Sequence, residues 1–225
     1  MPETIERLDA MIAGGEPHMV VTADSSGFAM AESDAELRAI YEAADLVTPD
    51  SQGVVWALGR SGYKNVSRVS GVDLVNELCR LSANKGYRVF FLGAAPGVAE
   101  MAAEKVRLLH PGCNIVGTRN GYFPADDDEI VAAEVAKMNP DILFVAMGIP
   151  RQEKFIFKTM DVVKAKIAIG VGGSFDVFSG RAKRAPVVIQ RLKLEWLWRL
   201  VLNPSKYAKV KLLPRFVRLV LREKR

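Results

Sequence analysis

Long apolar runs are missing from this 225-residue chain. No stretch approaches the ~20 apolar residues of a spanning helix, so any membrane contact is expected to be peripheral. Cysteine is scarce. Cys79 and Cys113 each have apolar neighbours, which predicts buried free thiols rather than a disulfide or a metal site. Histidine is equally scarce, and His18 and His110 lie too far apart in sequence to build a His/Cys zinc cluster. The opening residues carry Glu3, Glu6 and Asp9 and lack the apolar core of a secretion signal, so a cytoplasmic protein is expected. Acidic residues are nearly missing at the other end. From Arg181 to Arg225 there are 14 Lys/Arg against 2 Asp/Glu, a net of +12. The preceding 180 residues carry 17 against 24, a net of −7. A mildly acidic body with a strongly basic tail predicts an anionic partner.

Hydrophobic residues make up 49% and charged residues 25%, an ordinary globular balance with material for one sizeable core. Residues 1–16 read as a frayed helix ending at Gly14-Gly15. Short apolar runs then recur: Met19–Ala23, Leu46–Thr48, Arg88–Leu92, Cys113–Gly117, Asp141–Met147 and Ile167–Val171. Between them lie helical segments, including one opened by a Ser33-to-Glu36 capping box and one over Val72–Lys85. Continuous apolar strands alternating with helices predict an α/β fold, a doubly wound, mostly parallel, Rossmann-like sheet covered on both faces. Two units follow: 1–185, an α/β domain, and 186–225, a basic amphipathic helical appendage.

Ligands of such sheets bind beyond the carboxyl ends of the strands. Read off the chain, those ends are Thr22-Ala23-Asp24, Pro49-Asp50, Gly93-Ala94-Ala95, Gly121-Tyr122, Gly148–Gln152 and Gly172–Asp176. Asp50 has two readings, a general base at the rim or the N-cap of the next helix, and the pattern favours the cap. The Gly93–Gly97 turn is neither a dinucleotide fingerprint nor a Walker loop, and no acidic residue follows the next strand, which disfavours a nicotinamide cofactor. Asp126–Glu129 reads as complement to a helix dipole ahead of a metal-bridged diphosphate. Arg151–Lys154 opens a helix whose N-terminus favours a phosphate or a sugar. Gly172, Gly173, Ser174 and Asp176, with buried-looking Phe175 among them, point to a nucleotide pocket.

From Pro186 the pattern changes. Leu192 to Leu202 is an apolar helix containing Trp196 and Trp198, and Asn203-Pro204 breaks it. Then apolar positions interleave with Lys206, Lys209, Lys211, Arg215, Arg218 and Arg222, with Pro214 dividing two short amphipathic helices. Basic amphipathic helices with aromatic residues predict interfacial membrane binding. No nucleic-acid motif accompanies them.

Taken together, these segments resemble the WecG/TagA/CpsF family, glycosyltransferase family 26. The motifs are Ala44–Asp50, Arg68–Asp73, Val89–Gly93, Val116–Phe123, Pro140–Lys154, Gly170–Pro186, and Leu194–Arg199 with Asn203-Pro204. They span residues 19–222 in order. The resemblance implies inverting, metal-independent and cofactor-free transfer from a UDP-sugar, of N-acetylmannosamine type or related, to a sugar on polyprenyl diphosphate. It implies Asp50 as general base, with Thr22, Arg68 and Gln152 as further catalytic positions. It implies a UDP-sugar site of Gly93, Ala94, Ala95, Tyr122, Gly148, Gly172, Gly173, Ser174 and Asp176. Arg199, Lys206, Lys209, Arg215 and Arg218 would meet the acceptor diphosphate and an anionic membrane at the inner face. A homo-oligomer is left open. Two positions depart from the family: Asp24 replaces the usual Asn and Ser51 the usual Gly. A non-catalytic UDP-sugar or lipid-diphosphate binding protein is the second class; it would keep the pocket without needing a base.

Overall fold

The computed structural model describes residues 1–186, 188–189, 192, 195, 197–198 and 211–222. Six strands form one sheet: β1 His18–Ala23, β2 Leu46–Pro49, β3 Val89–Gly93, β4 Ile115–Arg119, β5 Ile142–Ala146 and β6 Ile167–Gly170. Their order is β2-β1-β6-β5-β3-β4, and every pairing is parallel. The helices are α1 Pro2–Gly14, α2 Ser25–Ala31, α3 Ala35–Ala43, α4 Gln52–Arg60, α5 Gly71–Lys85, α6 Val98–Leu109, α7 Asp128–Lys137, α8 Arg151–Val163, α9 Ser174–Phe178 and α10 Leu213–Arg222. The expected doubly wound α/β sheet is present.

Alternation along each strand explains both faces. Val20, Phe91, Phe144 and Ile169 pack under α1, α5, α6 and α9, while Met19, Val21, Phe90, Leu143 and Val145 pack under α3, α7 and α8. Successive side chains of a strand point to opposite faces, so a strand covered on both sides must be apolar throughout. β3 and β5 are buried at every position. Phe91 is sandwiched, stacked on Phe175 at 4.6 Å between centroids and edge-on to Phe144 at 5.7 Å.

Two local expectations need correcting. The first helix is not frayed: Leu8 and Ile12 are buried, and Asp9 takes Lys85 at 2.6 Å and the Tyr87 hydroxyl at 2.8 Å. The capping box before α3 is not used. Asp34 is the cap, accepting from the Leu37 amide, while the Ser33 hydroxyl donates back to the Met30 carbonyl and Glu36 pairs with Lys154 at 2.6 Å. An Asp one residue nearer the helix meets the orphan amide better, and its charge suits the helix's positive end. Helix α2 went unread, because Ser25 to Ala31 has small residues and no clear apolar period.

The last described helix carries Pro214 in its first turn, where a missing N–H is harmless. It lays Phe216 and Val220 against Val54 of α4 and Ala29 of α2, with Phe28 and Ala57 beside them. The expected helix over Leu192–Leu202 and the short one before Pro214 fall largely outside the described residues. Among the described residues no helix is long and apolar enough to cross a membrane.

Candidate functional site

Among the described residues, two hollows lie at the carboxyl rim of the sheet. One, of ≈ 70 Å³, is lined by Thr22, Asp24, Asp50, Ser70, Gly71, Val72, Ile149, Gln152 and Gly172 to Ser174, where β1, β2 and β6 end. The other, of ≈ 410 Å³, is lined by Ala94, Ala95, Gly121, Tyr122, Ala146, Met147, Asp176, Arg181 and Ala182, where β3, β4 and β5 end. Helix α9 stands between them, with Ser174 on one and Asp176 on the other. The larger hollow falls within the range of small-ligand pockets, roughly 300–1,000 Å³. The smaller has room for a reacting group, not a nucleotide.

Asp50 ends β2. Its amide donates to the Ala23 carbonyl at 2.9 Å, which fixes its backbone beside β1. The cap of α4 is not Asp50 but Ser51, whose hydroxyl oxygen accepts from the Val54 amide and from the Ser25 amide, each at 3.2 Å. The cap reading of Asp50 is thereby corrected, and the residue is among those that line the smaller hollow. Ser51 also meets the Ser25 hydroxyl at 2.9 Å, tying the starts of α2 and α4 together. Asp24 caps α2, accepting from the Gly27 amide at 2.8 Å and the Ser26 hydroxyl at 2.6 Å. Both departures noted in the sequence, Asp24 and Ser51, are thus helix caps in this protein.

Arg68 does not line either hollow. The Val69 amide bonds the Pro49 carbonyl at 2.9 Å, which lays Arg68 alongside Asp50. Its guanidinium donates to the Asp50 carbonyl at 2.8 Å, approaches the Asp50 carboxylate at 3.4 Å, and pairs with Glu195. Burial works against the charge on Arg68, but its hydrogen bond to the Glu195 carboxylate and the field of Asp50 outweigh it and hold its pKa above the usual value. The sequence reading missed Glu195. A lone acid in an otherwise basic segment was the available signal.

Gln152 is buried and committed to the scaffold. Its Oε1 accepts from the Gly148 amide at 3.1 Å and the Gly172 amide at 3.0 Å, and its Nε2 donates to Glu153 at 2.8 Å. It joins the loops after β5 and β6. Gly170 makes room for it, since a Cβ there would come within 2.5 Å of Nε2. Thr22 is likewise committed, its hydroxyl donating to the Gly170 carbonyl at 2.6 Å. So is Ser174, whose hydroxyl donates to the Val171 carbonyl at 2.6 Å. Gly93 owes its identity to packing: at φ 130°, a Cβ would lie 2.5–2.6 Å from the Ala146 backbone.

Helix starts converge on the smaller hollow. Asp24 before α2, Asp50 before α4, Ser70 and Gly71 at α5, Gln152 in the first turn of α8 and Ser174 at α9 all line it. Helix starts carry partial positive charge, but side chains of Asp24, Ser51 and Ser70 already cap α2, α4 and α5, and the lining itself includes the acidic residues Asp24 and Asp50. Ser70 and Asp73 form a reciprocal cap on α5, at 2.6 Å and 3.3 Å, and Arg184 reaches Asp73 at 2.6 Å. Tyr122 stands at the mouth of the larger hollow, 72% exposed, with its amide held by Asn120 at 3.0 Å. Arg181, also unassigned from sequence, gives that hollow a cation.

Other expected features have structural partners. Arg151 pairs with the buried Asp128 at 3.0 Å and lies 5.2 Å from the Phe123 ring. Lys154 pairs with Asp34 and Glu36. Both cations at the start of α8 are therefore engaged within the fold. Among the described residues no group of three or more His, Cys, Asp or Glu could hold a metal ion. The two cysteines are free and buried, as expected. Arg215 pairs with Glu32, Arg218 is exposed, and Arg199, Lys206 and Lys209 lie outside the described residues.

The model of the glycosyl transferase WecG/TagA/CpsF family matches residues 1–225. A protein of Bacillus spizizenii named N-acetylglucosaminyldiphosphoundecaprenol N-acetyl-beta-D-mannosaminyltransferase is 39% identical over 206 residues, covering 92% of this chain and 79% of its own. A Bacillus subtilis protein of the same name is 37% identical over 186 residues, 83% of this chain and 72% of its own.

Proposed function

This chain belongs to the WecG/TagA/CpsF family of glycosyltransferases, and from that premise we propose that it moves an N-acetylmannosamine-type sugar from UDP onto a polyprenyl-diphosphate-linked sugar, with inversion. The observation that carries the reading is the position of Asp50: it lines a hollow at the carboxyl rim of the sheet, and Ser51, not Asp50, caps α4.

In this reading the uridine occupies the larger hollow against Tyr122, and the diphosphate and sugar extend past α9 toward Asp50. The acceptor hydroxyl gives its proton to the Asp50 carboxylate as its oxygen forms the new bond to the sugar's C1. On the opposite face the bond from C1 to the diphosphate oxygen breaks, and its electron pair leaves with UDP. Charge grows on that diphosphate as the bond breaks, so Arg181, which lines the larger hollow, stabilises it most in the transition state. Arg68 acts as a positioning residue that holds Asp50, and not as the partner of the leaving group, since Asp50 and Glu195 occupy its guanidinium. Thr22 and Gln152 position loops.

The acceptor's lipid keeps one substrate in a bilayer, so the protein must work at a membrane surface. The 186–225 appendage is the proposed docking and closing unit. Glu195 ties its first part to the site through Arg68, and α10 packs beside α4. The location proposed is the inner face of the cell membrane.

The test is Asp50→Asn, assayed by product mass spectrometry with UDP-N-acetylmannosamine and a short polyprenyl-diphosphate-linked N-acetylglucosamine. Loss of a general base costs about 10²–10⁴-fold in turnover, with UDP affinity unchanged. Turnover within a few fold of the parent would remove Asp50 from the mechanism.

A further inference from the structure

The sequence put membrane contact in the basic tail alone. We infer that the catalytic domain itself supplies a second half of the membrane-binding surface, from α4 and the loop after it, aimed at anionic lipid headgroups. This rests on the peripheral-docking reading above and extends it to a segment far from the tail.

The first observation is the exposure of apolar and aromatic groups on α4 and its loop. Trp56 is 41% and Tyr63 63% exposed. Arg60 lies over the Trp56 ring at 5.9 Å, and Lys64 follows Tyr63 on an exposed loop. Tryptophan and tyrosine beside Lys/Arg is the composition of the lipid headgroup layer, where an amphipathic ring and a snorkelling cation are both solvated well.

The second observation is the neighbour. Helix α10 seats Phe216 and Val220 in a cluster with Val54 and Ala57 of α4. That contact leaves Val217, Arg218, Leu221 and Arg222 exposed beside it. A helix that buries one apolar stripe and still exposes another, flanked by arginines, has a face left for a second apolar phase.

Charge is the third. Residues 51–69 contain Arg60, Lys64 and Arg68 and no Asp or Glu; residues 211–222 contain Lys211, Arg215, Arg218 and Arg222 and again none. Glu32 meets this region and is paired with Arg215. With Arg68 and Arg215 paired to acids, the two segments, about 140 residues apart, still expose Arg60, Lys64, Arg218 and Arg222 beside Trp56 and Tyr63. Such a surface favours the negative inner leaflet over another protein. Its placement is consistent with the chemistry, since α4 begins one residue after the cap that follows Asp50. Lipid contact through α4 would bring that carboxylate close to where a lipid-linked acceptor presents its sugar.

The experiment uses the full chain and vesicles of phosphatidylcholine with about one-third phosphatidylglycerol, against pure phosphatidylcholine. A Lys or Arg near an anionic surface contributes about a fivefold factor in binding, so Arg60→Glu with Lys64→Glu weakens co-sedimentation by about 25-fold or more. These side chains are exposed, and an unchanged melting curve verifies folding. Independently, Ser61→Cys is labelled with a polarity-sensitive dye, because Ser61 is exposed while Cys79 and Cys113 are buried. Its emission shifts to the blue on anionic vesicles, whereas the same dye at Glu104→Cys on α6 does not respond. Full vesicle binding by the double variant, or no shift at position 61, overturns the inference. If the parent protein binds no anionic vesicles, the peripheral-docking reading falls with it. If it binds but α4 plays no part, only this inference falls.

Discussion

The Arg68–Glu195 pair links the tail to the active site, and its strength can be worked out. Both partners are largely out of solvent, with side chains 17% and 9% exposed. Two unit charges at about 3 Å in an effective dielectric of ~20 attract by roughly 5 kcal/mol. Desolvation reclaims a large share, leaving about 2 kcal/mol of coupling. The assay is a double-mutant cycle of Arg68→Ala, Glu195→Ala and both together, followed by urea unfolding. Trp196 and Trp198 closely follow Glu195 in sequence and Trp56 lies in the body, so tryptophan emission reports both. Arg68→Ala also loses the bonds to Asp50, but the cycle cancels whatever does not involve Glu195. A coupling of about 1.5–3 kcal/mol is expected. A value below about 0.5 kcal/mol, as for an exposed surface pair, would refute the idea that this contact anchors the tail.

Gly93→Ala should be among the most damaging single-methyl changes, because it combines a φ of 130° with a clash on the Ala146 backbone; about 3 kcal/mol or more is expected, read as a fall in Tm. Ser51→Ala removes the α4 cap and should cost about 0.5–2 kcal/mol in urea unfolding while leaving most of the turnover, which separates the cap from the base next to it. Tyr122→Ala should leave Tm unchanged, since the ring is exposed, yet weaken UDP binding by about 1–2 kcal/mol, or five- to thirtyfold in Kd by calorimetry.

Much of the fold was legible in the chain. The Val89–Gly93 and Ile142–Ala146 runs are apolar at every position, which only a sheet covered on both faces requires. The strand ends rich in glycine and polar residues also marked the rim, and Thr22, Asp50, Gln152 and Gly172 to Ser174 do share one hollow there. Less legible were the partners. Gln152 looked like a ligand-facing side chain and turns out to bridge two loop amides. Arg151 and Lys154 looked available at a helix start and are held by Asp128 and by Asp34 with Glu36.

The sequence by itself determined the periodic features: strand and helix order, parallel pairing, the acidic body and the basic tail. These depend on neighbours a few residues away and on summed charge, both recorded locally. Only the tertiary structure decided that Ser51 caps α4 and leaves Asp50 for the hollow, that Arg68 serves Asp50 and Glu195, and that α10 lies against α4. A hydrogen bond or ion pair goes to whichever group the crossovers bring within about 3 Å, and that meeting of distant segments has no period to read.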